Sequence, residues 1–164
     1  MADDGVDRIL EQWARERPDL DTEAMGVFGR IVRIAKAAGD AATATYARFG
    51  ITRGDFDVLA TLRRAGEPFA LSPSALSASL MLTSGGITQR VDRLDNADLV
   101  ARTPDPSDRR GQIVALTPKG RDVVDAAVAA GLETQQHLLD PLPPDTRRDL
   151  DRCLRALLAA VARP

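Results

Sequence analysis

One stretch interrupts a chain that otherwise reads as helix. Residues 99–117, LVARTPDPSDRRGQIVALT, hold two short segments divided by a turn rich in Pro, Asp and Gly, which is the pattern of a β-hairpin. In the second segment Ile113 and Ala115 alternate with outward polar partners, so these two are predicted to face the interior. The turn places Arg109 and Arg110 at the tip.

On either side, apolar residues recur at helical spacing. Val6, Ile9, Leu10 and Trp13 share one helical face. Asp21 or Thr22 can then cap a long second helix with an apolar stripe of Met25, Phe28, Ile31, Val32 and Ala35. Thr52, three residues ahead of Asp55, opens a third helix in the manner of a shortened capping box, and Gly66 follows its basic end. Ser72 with Pro73 starts a fourth, and the hydroxyl cap of TSGG starts a fifth that carries Ile87, Val91 and Leu94. After the hairpin, Thr117 and Pro118 repeat the cap-plus-proline device. The last helix sets Leu150, Leu154, Leu157 and Leu158 on one side. This divides one structural domain into N-terminal helices (1–48), a central region (49–117) and C-terminal helices (118–164).

Composition excludes several classes. With 44% hydrophobic and 28% charged residues the chain has the make-up of a folded domain. No apolar run reaches membrane-spanning length, and the opening residues are acidic and amphipathic where a secretory signal would be basic, so a cytoplasmic protein with no membrane partner is expected. His137 and Cys153 are each the sole residue of their type, with no metal-spaced cluster and no phosphate loop, so neither a catalytic site, a metal nor a cofactor is expected. Cys153 reads most simply as a small buried hydrophobe, with a redox-sensing thiol as the sharper alternative. The net charge of −2 disfavours a nucleic-acid binder, yet residues 84–121 hold seven Lys and Arg against five Asp.

The order of elements gives that local charge a use. Short third to fifth helices on tight connections form a helix-turn-helix arrangement, and a hairpin directly behind one is a wing. The fold class is therefore mainly α, a winged helix-turn-helix flanked by N- and C-terminal helices of a length suited to a dimerisation region. In that arrangement Ser84, Thr88, Gln89 and Arg90 reach base edges in the major groove of double-stranded DNA. Arg93 meets phosphate, and Arg109 and Arg110 enter the minor groove. A solvated turn neutralised by Asp105 or Asp108 is the plainer reading of the two tip arginines. A helical dimerisation or scaffold module without ligand response is the rival for the whole chain, but it leaves the tip unexplained.

FDVLATLRRAG, LSPSALSASLMLTSGGITQRVDRLDNADLVART and DPSDRRGQIVALTPKGRDVV together resemble MarR-type transcriptional regulators, most densely over residues 52–124. The resemblance implies a symmetric homodimer with two winged helix-turn-helix lobes on a palindromic operator, most simply a repressor. One departure stands out: where the family usually has glycine after the recognition helix, this chain reads ADLV, and either Asp98 or Asn96 must take the left-handed conformation.

Trp13, Asp57, Arg64 and Arg102 also match the ligand-site residues of the urate-responsive branch, the HucR- and PecS-like proteins, and Arg90 matches a further arginine there. The resemblance thus implies a small-molecule effector, urate or another anionic aromatic compound, that repels Asp57 and disturbs its pairing with Arg102. Sensing of oxidation or of another compound is the alternative. Each residue also has a structural use: Trp13 as a packing anchor, Asp57 and Arg64 as helix-end charges, and Arg102 as a partner within the wing.

Overall fold

Caps made by short polar side chains mark where most of the helices begin. The computed structural model describes residues 4–105 and 111–162. Its elements are α1 (Gly5–Glu16), α2 (Glu23–Ala47), α3 (Arg53–Arg64), β1 (Ala70–Leu71), α4 (Pro73–Leu80), α5 (Ser84–Asn96), β2 (Val100–Pro104), β3 (Gln112–Leu116), α6 (Pro118–Leu139) and α7 (Pro144–Val161). Thr52 and Asp55 close a full capping box, each side chain accepting from the other's backbone N–H, so aspartate serves where glutamate is usual. Ser72, Thr83 and Thr117 each accept from the N–H three residues on, and Pro73 and Pro118 fill first-turn positions whose N–H would be unpaired anyway. These four starts agree with the sequence reading.

The chain forms two compact units, Met1–Ala41 and Ala42–Pro164. In the first, Asp4 and Asp7 close a capping box on α1, Arg30 of α2 pairs with both carboxylates, and Val6 is buried. Ile9 and Trp13, predicted to share its face, remain exposed.

The second unit holds the main core. Val58, Leu59 and Leu62 of α3, Leu76 of α4, Ile87 and Leu94 of α5, Val100 and Val114 of the sheet and Val124 of α6 are almost wholly shielded from water. Each contributes about 1.5–3 kcal/mol relative to an exposed side chain.

The hairpin is joined by a strand that sequence reasoning missed. The three strands lie in the order β1–β3–β2, all antiparallel, with Ala70 opposite Ala115 and Arg102 opposite Val114. Two residues are too few to show a period, so β1 exists only because β3 offers it a partner. The inward phase of β3 is also corrected. Val114 is the buried residue, while Ile113 and Ala115 are only partly covered, because Val114 lies on the side of Ile87 and Val91 of α5.

The turn after α5 shows which residue replaces the family's glycine. Asp98 has φ +57°, the Leu99 N–H donates to the Leu94 carbonyl, and the Asp98 N–H donates to the Asp95 carbonyl. That is a Schellman closure with aspartate at its left-handed position. Asp98 carries the conformation, not Asn96. Thr117 Oγ1 then donates to the Asp98 carbonyl and Lys119 Nζ to the Ala97 carbonyl, tying the start of α6 to this turn. Gly120 comes closest of all, since a Cβ there would lie 1.8 Å from the Leu99 carbonyl oxygen.

No residue of α7 is buried. Leu150, Leu154, Leu158 and Val161 stand exposed, while Asp and Arg pair along the helix at Asp145–Arg148, Asp149–Arg152 and Asp151–Arg155. Cys153 is exposed as well, which corrects the reading of it as a buried hydrophobe within the subunit, on a helix none of whose residues is buried there. Among the described residues, no helix is long and apolar enough to cross a membrane.

Candidate nucleic-acid interface

The polar side chains expected to read bases lie where α5 begins. Thr83 caps the helix, and Ser84, Thr88 and Gln89 are exposed on its first turns. The Thr88 hydroxyl donates to the Ser84 carbonyl at 3.0 Å. Ser84 and Thr88 also line a groove of about 540 Å³ between α4 and α5, together with Ser74 and Ser77. The result is an uncharged surface of hydroxyls and one amide, beside the unpaired N–H groups of a helix start.

The two arginines further along α5 are engaged with α3. Arg90 is half-buried and its Nη1 donates to the Gly54 carbonyl at 3.1 Å. Arg93 pairs with Asp55, with Nε and Nη2 both 2.9 Å from Oδ1. Asp55 is 3% exposed. Burial pushes its carboxyl pKa up, but hydrogen bonds from Arg93 and from the Thr52 hydroxyl and backbone outweigh that and hold it below the ordinary carboxylate value.

Arg102 does not pair with Asp57, as the resemblance implied it would. Its guanidinium meets Asp92, and Nε lies 4.0 Å from Asp95. The register of β2 against β3 brings Arg102 alongside α5, where carboxylates three residues apart lie on one face. Asp92 and Asp95 were overlooked as partners because nothing in the sequence signals a strand-to-helix contact. Arg109 and Arg110 lie outside the described residues.

The remaining ligand candidates are dispersed. Asp57 and Arg64 share α3, with Asp57 half-buried and Arg64 exposed and donating to Thr61 Oγ1 at 3.1 Å. Arg64 lines a cavity of about 380 Å³ with Phe56, Ala60, Arg63, Asp125 and Val128. Arg102 lines a different one of about 150 Å³, below α5. Trp13 is on α1 at 40% exposure. Sequence reasoning also missed Phe69, which lies between the Arg63 and Arg121 guanidinium carbons at 4.9 and 4.8 Å from its ring centre.

Residues 49–111 match the MarR family. The HTH-type transcriptional regulator PecS of Dickeya dadantii is 36% identical over 156 residues, spanning 95% of this chain and 92% of its own. The chain belongs to the MarR family. Among solved MarR-family structures, a mutant MarR from E. coli complexed with operator DNA superposes with a TM-score of 0.70 at 26% identity, over 84% of this chain and 97% of that one. Sco3205 of Streptomyces coelicolor, at 23% identity, gives a TM-score of 0.74 over 88% and 91% of the two chains, a likeness of fold. The winged helix-turn-helix expected from the sequence is thus the fold, and the MarR-family chain is a DNA-binding transcriptional regulator rather than an enzyme.

Proposed function

We propose that the protein is a homodimeric repressor that grips a two-fold operator in duplex DNA and lets go when a small anionic aromatic compound binds. The observation that carries the reading is the exposed polar start of α5 beside the hairpin, in a chain alike over most of its length to a regulator crystallised on its operator. Ser84, Thr88 and Gln89 face base edges, and Arg109 and Arg110 supply the charge at the wing tip. The second subunit covers the apolar side of α7.

Gel shift and anisotropy against DNA from upstream of the gene test this. Half-sites about 10 bp apart are expected. Arg110→Ala should weaken binding and lower the slope of log affinity against log salt by about one, because one fewer phosphate-condensed cation is displaced. An unchanged slope would place the charged contact elsewhere on the lobe.

For the effector, the proposed residues are Asp57 and Arg64, joined on the strength of the resemblance by Trp13 and Arg102. Arg64 supports the reading by standing at the edge of a partly apolar cavity large enough for a flat ring, with a guanidinium suited to an anionic edge. Urate should change the emission of Trp13 and release the operator, and Arg64→Ala should weaken both effects together. If urate and related phenolic acids leave emission and DNA complex alike untouched, this effector class is wrong.

A further inference from the structure

Both arginines of α5 commit their guanidinium groups to the opening turn of α3. Arg90 reaches the Gly54 carbonyl, and a Cβ at Gly54 would stand 2.7 Å from Arg90 Cζ, so glycine leaves the space that the arginine fills. Arg93 forks onto Asp55, which at the same time accepts from the Thr52 N–H at 3.0 Å and the Thr52 hydroxyl at 2.7 Å. One buried carboxylate thereby closes the cap of α3 and holds the last turn of α5. Drawing the Nε and Nη2 edge of Arg93 onto a DNA phosphate would leave the Asp55 charge buried and uncompensated, which is far costlier than forgoing one exposed phosphate contact.

We propose that Arg93 is a positioning residue: through Asp55 it fixes the tilt and register of α5 on α3, and it neutralises no phosphate when DNA is bound. This rests on the DNA-binding reading above and changes what it predicts. The body of the recognition helix meets DNA through Ser84, Thr88 and Gln89, which carry no charge.

The test uses the full chain and a duplex from upstream of its gene, with a scrambled duplex beside it, across a salt series. Arg93→Gln should weaken specific binding about tenfold with the salt slope unchanged and scrambled-duplex binding intact. Asp55→Asn should do the same although it removes a negative charge, and the double variant should be no weaker than either single one. Arg93→Lys, which keeps the charge but loses the fork, should behave like Arg93→Gln. A slope lower by about one in Arg93→Gln, with Asp55→Asn binding as well as wild type and Arg93→Lys near normal, would make Arg93 a phosphate contact and overturn the proposal.

Urea unfolding monitors integrity, and if Asp55→Asn does not fold, the two Arg93 variants decide by slope alone. Should wild-type protein bind neither duplex, the regulator reading fails by itself. Positioning is then judged without DNA, from the backbone amide resonances of Ser84, Thr88 and Gln89. These should shift in Arg93→Gln, and unmoved resonances would sink the claim.

Discussion

Protein carrying Leu154→Asp together with Leu158→Asp is expected to elute as a monomer and to lose operator affinity by a hundredfold or more, roughly the avidity that joining two modules supplies. Both leucines are exposed on a helix with no buried residue, at a spacing that puts them on one side with Leu150 and Val161. Such a stripe is only partly covered by its own subunit, whereas completing the burial of each leucine against a second copy is worth up to about 1.5–3 kcal/mol. The two substitutions touch no core contact within the chain, so far-UV dichroism should be unchanged while light scattering reports half the mass. A dimer that persists with normal operator affinity would mean that another surface joins the subunits.

Gly120→Ala should be strongly damaging to folding. The added methyl would lie 1.8 Å from the Leu99 carbonyl oxygen and 2.8 Å from the carbonyl carbon, both backbone atoms that cannot swing aside. That carbonyl also accepts the Thr117 N–H at 3.2 Å, so moving α6 outward breaks its attachment to the turn after α5. A cost of about 3 kcal/mol or more is expected, or roughly 10 °C in melting temperature for a domain of this size. A melting temperature within a degree or two of wild type would show that α6 and the turn can separate freely.

What could be read from sequence were the features made by neighbours along the chain. Thr52, Ser72, Thr83 and Thr117 announce helix starts because a cap needs only the next three N–H groups, and the Pro/Asp/Gly turn announces the hairpin for the same local reason. What stayed hidden depends on residues far apart in sequence. β1 becomes a strand only through β3, the burial of Val114 over Ile113 depends on which sheet face α5 covers, and Arg93 finds Asp55 across 38 positions. The candidate site divides likewise. Ser84, Thr88 and Gln89 follow from where α5 begins, but the partners of Arg90, Arg93 and Arg102 do not follow from any spacing.

The small sheet runs straight into helix starts at two corners. β1 ends at Leu71 and Ser72 caps α4; β3 ends at Leu116 and Thr117 caps α6. There is no slack residue at either joint, so a tug on the base of the wing is passed to α4 and α6 within one peptide unit. The hairpin root, α4 and the head of α6 are thus joined through the backbone and the strand ladders, so a displacement of one is expected to carry the other two with it.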